Sequence, residues 1–288
     1  MVMNMYQAGL VLEGGGMKGV YTAGVLDFFL DKGIQFSNVY GVSAGACMMC
    51  SYLSKQRGRG YHTYVDYLDS KHYCSIDSFI TSGDLFNVKM CYDLIPNYLN
   101  PFDHETFNQY EGKAYAVVTN IKTGRAEYIR VRDARKDMQA VRASSSLPLV
   151  SRNVKIGDDL YLDGGISDAI PLRKSILDGN RKNVVVMTKD VNFVRKPAAP
   201  KMLTLMKVRY LKYPKVYELM KERHFAYNET LDFMKKQEEN GQAFIFRPES
   251  DCGVGRIEKD PIKLDALYKL GYEDGEKNYE RLKAYLDD

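Results

Sequence analysis

The sequence predicts an α/β fold that opens on a parallel sheet, and two observations carry that expectation. A short apolar run at residues 8–12 ends on the turn Gly14-Gly15-Gly16-Met17-Lys18-Gly19 and leads into a helix-like segment at 20–30, closed by Lys32-Gly33. A second run at 36–40 ends on Gly41-Val42-Ser43-Ala44-Gly45 and leads into another helix-like segment at 44–53. Strand, glycine turn and helix, repeated, is how a parallel α/β sheet begins.

The remaining elements follow in order. Residues 60–110 are rich in Tyr and broken by Ser82-Gly83-Asp84 and Asn100-Pro101, so short helices and loops that cover a site are expected there. Residues 114–120 and 126–131 read as strands joined by the turn Lys122-Thr123-Gly124-Arg125. A short helix at 137–144 precedes Ser144-Ser145-Ser146-Leu147-Pro148. Strands are expected at 160–163, 184–188 and 244–247, the last in the chain. Residues 263–285 read as a helix, or a pair of helices interrupted at Gly271. With no repeat and no low-complexity linker, 1–288 is read as one domain. Its motif-bearing core is about 8–190, and 191–288 holds a basic helical segment, the last strand and the closing helices.

Composition narrows the function classes. The 288 residues carry 41 basic and 37 acidic side chains, a net +4. That is too mild for a nucleic-acid partner and leaves room for a local contact with an acidic surface. The five cysteines, Cys47, Cys50, Cys74, Cys91 and Cys252, are odd in number and irregularly spaced; Cys47 and Cys50 make a C-x-x-C with no second pair to complete a zinc site, so they read as small core hydrophobes in a reducing compartment. No charged leader precedes the first strand and no apolar run reaches the about 18 residues of a membrane span. The expectation is a cytoplasmic protein, with no metal and no cofactor.

The glycine loop admits three chemistries. Gly14, Gly16 and Gly19 fit a dinucleotide turn, but the second strand ends in Gly41-Val42-Ser43 without the acid that holds a ribose. A phosphate-binding loop fails because Val20-Tyr21 follows Gly19. A nest of N–H groups for a developing oxyanion remains, with Lys18 as a nearby charge, beside the plainer reading of a tight packing turn. Gly41-Val42-Ser43-Ala44-Gly45 can hold Ser43 exposed at a strand-to-helix corner, where the plainer reading is a helix cap. A Ser-Asp-His triad would need His224, which lies in the charged stretch Lys221-Glu222-Arg223-His224 with no turn to aim it. His62, His72 and His104 read as surface residues. The base is then a carboxylate, and Asp163, at a strand end before Gly164-Gly165, is best placed, although Asp-Gly turns are also common.

These residues together resemble patatin-like phospholipases. Gly14-Gly15-Gly16-Met17-Lys18-Gly19, Gly41-Val42-Ser43-Ala44-Gly45, Ala143-Ser144-Ser145-Ser146-Leu147-Pro148 and Asp163-Gly164-Gly165 match that family's blocks in order. The resemblance covers roughly residues 8–190 and is nearest to the bacterial single-domain members. It implies a three-layer α/β/α sandwich with a mostly parallel central sheet, Ser43 as nucleophile, Asp163 as base and an oxyanion hole from Gly14, Gly15, Gly16 and the Met17 N–H. The activity it implies is hydrolysis of lipid acyl esters: phospholipid, lysophospholipid or neutral lipid. A catalytically weak lipid-binding or regulatory protein that keeps the dyad is the alternative.

One further stretch bears on partners. Between Arg195 and Arg223 nine Lys/Arg face two acids, Glu218 and Glu222. Leu203, Met206 and Tyr210 share one helical side, and Leu205, Val208 and Leu211 another. Pro214 is expected to divide the stretch into two short helices. Peripheral contact with an anionic membrane is one expectation, and a helix pair packed on the sheet is the other.

Overall fold

The computed structural model describes residues 4–288. Its strands are β1 (Asn4–Leu12), β2 (Ile34–Val42), β3 (Lys113–Asn120), β4 (Ala126–Arg130), β5 (Val154–Ile156), β6 (Asp159–Asp163), β7 (Asn183–Val186) and β8 (Ala243–Phe246). They form one sheet, in the order β5-β6-β3-β2-β1-β7-β8, with β4 also on β3. Strands β3, β2, β1, β7 and β8 are mutually parallel. Strands β4, β5 and β6 join through antiparallel pairs. The β3–β4 hairpin is the one expected around Gly124, while β5, three residues long, is too short to be read from its residues.

Helices cover both faces because the central strands are apolar on both. Leu10, Leu12, Val184 and Val186 point into one cluster, with Val20, Phe28 and Phe29 of the helix Gly19–Asp31 and Leu264 and Leu267 of the helix Pro261–Lys277. Val11, Val185 and Met187 point the other way, onto Ile170, Leu172 and the long helix Pro214–Glu239 through Tyr227 and Met234. Adjacent residues turning to opposite faces make three layers from one sheet.

Two helix boundaries differ from expectation. Pro261–Lys277 is continuous through Gly271, and the break before Tyr279–Asp287 comes at Asn278. Gly271 and Gly275 serve packing: a Cβ at Gly271 would run into the Tyr21 backbone, and one at Gly275 into the Phe28 ring. Each interior glycine costs about 1 kcal/mol of helix propensity relative to Ala. Close approach offsets it by allowing hydrogen bonds across the pair, Tyr21 to Asp274 (2.7 Å), Tyr268 to Asp27 (2.8 Å) and Tyr272 to Asp31 (2.9 Å). The basic stretch does divide, into Pro200–Arg209 and a helix beginning at Pro214, but the second piece is not short: it runs 26 residues to Glu239. Pro214 occupies the first turn, where its missing N–H is harmless.

Candidate active site

Strand β3 brings the distant motifs together. Its two edges are shared among three partners. β4 takes one edge over Tyr115–Thr119, so β2 and β6 divide the other. β2 pairs up to Val42 opposite Val117, and β6 arrives antiparallel with Asp163 opposite Val118, the next residue along. Ser43 and Asp163 therefore stand where two opposed strands meet head to head.

Ser43 occupies a strained corner. Its φ is 54° and ψ −121°, in a region L-residues avoid at a cost of about 1–3 kcal/mol. The bend needs glycine on both sides: a Cβ at Gly41 would meet the Ala46 backbone N at 2.8 Å, and one at Gly45 the Glu13 carbonyl at 2.8 Å. The Ser43 N–H donates to Ser144 Oγ at 2.9 Å, and the Ser145 hydroxyl to the Ser43 carbonyl at 3.2 Å. The Ser43 side chain caps no N–H of its helix, so the reading of this residue as a helix cap is not what the structure adopts.

Asp163 is buried and its N–H donates to the Ser146 carbonyl at 2.8 Å. Three consecutive serines, Ser144 to Ser146, thus grip both partners. The carboxylate Oδ1 accepts the Gly165 N–H at 2.7 Å, and Oδ2 is buried without a hydrogen-bond partner among the described residues. Burial pushes the carboxyl pKa up, against the smaller opposing pull of the adjacent Ser43 hydroxyl, the Gly165 N–H, Arg223 and Arg256.

The glycine loop lies against this pair. A Cβ on Gly14 would touch the Ser43 Cβ at 2.8 Å. The loop is held from beneath: the Thr188 hydroxyl donates to the Gly14 carbonyl at 2.6 Å and the Thr188 N–H to Glu13 Oε2 at 2.7 Å. Tyr227 donates to Glu13 Oε1 at 2.7 Å. The N–H groups of Gly14 and Gly15 donate to no other protein group among the described residues. Met17 differs from expectation. Its N–H donates to the Arg256 carbonyl at 3.0 Å, because residues 251–257 fold over the loop and are pinned there by the Lys18–Asp251 ion pair.

A cavity of about 320 Å³ opens on Ser43 and runs between Cys47, Cys50, Tyr64, Phe86, Ile95 and Phe102. Residues 59–107 supply one wall through short helices, as their broken, Tyr-rich sequence led us to expect. A larger open groove of about 950 Å³ shares Tyr92, Met138 and Arg142 with it but contains neither Ser43 nor Asp163. Among the described residues none of the four histidines hydrogen-bonds Ser43 or Asp163; His62 pairs with Asp66, and His224 Nδ1 is buried without a partner there.

An α/β sandwich with a serine at a strand-to-helix corner, facing a buried aspartate, defines the class. The chain belongs to the patatin-like phospholipase family, whose model matches residues 10–175. A second model, described only as a domain of unknown function, matches residues 213–287. The chain is 29% identical to the uncharacterized protein YjjU of Escherichia coli (strain K12), over 62% of this chain and 51% of that protein. It is 26% identical to the probable lipid hydrolase 463L of Invertebrate iridescent virus 6, over 62% of this chain and 66% of that protein. It is 23% identical to the uncharacterized protein L620 of Acanthamoeba polyphaga mimivirus, over 59% of this chain and 63% of that protein. The chain spans about half to two thirds of the length of these relatives. Among the described residues no helix is long and apolar enough to cross a membrane.

Sequence reasoning missed Glu13, Thr188, Tyr227, Arg223 and Arg256 as parts of the site. Glu13 alone left a signal, a carboxylate placed between a buried strand and the glycines.

Proposed function

We propose that the protein is a serine acyl hydrolase acting on lipid esters, with Ser43 as nucleophile and Asp163 as base. The observation that supports it most is the meeting of Ser43 and Asp163 at opposed strand ends beside the free N–H groups of Gly14 and Gly15. In the acylation step the Ser43 oxygen bonds to the ester carbonyl carbon as its proton passes to Asp163. The carbonyl oxygen takes the negative charge and is held by N–H donors of Gly14 to Gly16. The alcohol leaves with the proton, and water, activated by Asp163, releases the fatty acid and restores Ser43. The upward-shifted Asp163 pKa brings the base nearer neutrality. Met17 is left out of the oxyanion hole because its N–H is taken. The domain organisation we propose is a single unit, since β8 extends the sheet that carries the motifs.

The test is turnover of a short-chain chromogenic ester and of a lipid extract followed by mass spectrometry, with covalent labelling by a fluorophosphonate. Fatty-acid release and a label on Ser43 are expected. Loss of no lipid species and no label would leave the binding or regulatory alternative.

We further propose that the helix Pro200–Arg209 and the turn after it rest on anionic lipid. Met206 and Tyr210 are fully buried, whereas Leu205 (55%), Val208 (62%) and Leu211 (70%) are exposed among Lys201, Lys207, Arg209 and Lys212. An apolar ridge flanked by cations suits an acidic membrane surface, each near-surface charge contributing about 1 kcal/mol. Co-sedimentation with anionic vesicles is expected to weaken with salt and to fall in Leu205→Ser/Val208→Ser. Binding indifferent to salt and lipid charge, or none, would make this helix plain scaffold.

A further inference from the structure

Cations that do not line the cavity gather around Gly15, Gly16 and Gly165. Lys189 Nζ donates to Thr188 Oγ1 at 3.0 Å and lies 3.1 Å from where a Cβ on Gly15 would stand. Arg256 runs past Gly16, its Cγ 2.9 Å from the corresponding Cβ position. Arg223 donates Nε–H to the Gly165 carbonyl at 2.6 Å, and its Nη2 lies 3.2 Å from the Gly165 Cβ position. Arg195 stacks on Tyr227, 4.1 Å from the ring centre, with its Nε buried and unpartnered among the described residues.

Among the described residues none of these four forms an ion pair within 4.0 Å. The nearby carboxylates are otherwise engaged: Glu13 by Tyr227 and Thr188, Asp251 by Lys18, and Asp163 by Gly165. The cations feel one another. Burial first, and then Lys18, Arg195 and Arg256, bring Lys189 down to about 8, with Glu13 opposing. Burial, Arg195 and Arg256 likewise lower Arg223. Like charges gathered out of water are costly unless something neutralises them. Guanidinium forks and an ammonium approaching from different elements match the several oxygens of a phosphate.

We propose that Lys189, Arg195, Arg223 and Arg256 form a phosphate-binding site beside Ser43. The inference rests on the hydrolase reading for its consequence. None of the four lines the cavity that opens on Ser43, whose surface is mostly apolar although Arg59, Arg135 and Arg142 also reach it. An acyl chain in that cavity leaves the alcohol half of the ester facing the cations, so a phosphate on that half is selected. All four lie outside the segment matched by the patatin-like model, so the site is a property of this chain's later residues.

The source of the phosphate, a lipid headgroup or free phosphate, is separated by two measurements. In the first, thermal stability of the full chain is followed against inorganic phosphate, with chloride at matched ionic strength. A rise in Tm is expected for wild type and is expected to be absent in Lys189→Gln/Arg195→Gln. No rise with phosphate over chloride would overturn the site, whether or not the protein hydrolyses anything. In the second, kcat/KM is compared for a lysophosphatidic acid and a monoacylglycerol with the same acyl chain. A preference for the phosphate ester is expected, and it should drop about tenfold or more in Arg195→Gln, with Arg195→Lys recovering part, as for loss of one charge-assisted hydrogen bond. Equal use of both esters by wild type would overturn the headgroup assignment, and with a phosphate-dependent Tm it would assign the site to free phosphate. If wild type cleaves neither ester and takes no fluorophosphonate label, the hydrolase reading fails while the Tm series still decides the anion site.

Discussion

Ser43→Ala is expected to lower ester turnover by about three orders of magnitude or more, the loss typical of a covalent nucleophile. The fold should persist, because the contacts that hold the corner are made by the Ser43 backbone, to Ser144 and Ser145, and alanine keeps them. Fluorophosphonate labelling should vanish with the turnover. Asp163→Asn should lose activity comparably, and it carries a second signature. Burial raises the Asp163 pKa above its ordinary value of 3.8. A folded-state pKa above the unfolded one means the native state holds its proton longer. The associated stability is fully present below pH 3.8 and is lost as pH rises through the raised value. Above that raised value the wild type carries a buried charge that the amide lacks, while Asn can still accept the Gly165 N–H through its oxygen. The Tm difference between variant and wild type should be near zero below pH 3.8 and move in favour of Asn as pH rises through the raised value. Full activity in either variant, or an Asn variant whose Tm relative to wild type falls rather than rises with pH, would remove the dyad assignment.

Gly15→Ala is the second large effect. A Cβ there would stand 2.9 Å from Thr188 Cβ and 3.1 Å from Lys189 Nζ, and Thr188 is not free to retreat. Thr188 is fully buried and tied to Glu13 and Gly14. The loop must shift instead, taking its N–H groups away from the developing oxyanion. Loss of one such donor lowers kcat by about 10²–10³-fold. Stability should suffer far less than turnover, and paired measurement of kcat and the urea midpoint separates the two. Wild-type kcat in this variant would reduce the loop to a packing turn.

The parts of the site that could be read in advance are those encoded by turns. Gly41 and Gly45 frame a corner that only residues without a Cβ permit, and Gly14 lacks a side chain where the backbone comes close to Ser43, as Gly15 does beside Thr188 and Gly16 beside Arg256. Such requirements are local, so a few letters suffice to mark them. The interior of the closing helix was misread for the complementary reason. Gly271 looks like a break when only its own segment is considered, yet it is what lets that helix touch Tyr21, some 250 residues earlier. The Met17 N–H was likewise free on local grounds, and its acceptor, Arg256, lies at the far end of the chain.

By itself the sequence determined the α/β class, the two strand-turn-helix units and the candidacy of Ser43 and Asp163. Periodicity, glycine and proline act over a few residues, and they are sufficient for that. Only the tertiary structure decided how β2 and β6 divide one edge of β3, so that Ser43 and Asp163 meet. The same is true of the serine block that holds both, of the segment that covers the glycine loop, and of the four cations gathered beside it. Each of these depends on pairings between residues far apart in the chain, and those are set by strand register and helix packing rather than by any local pattern.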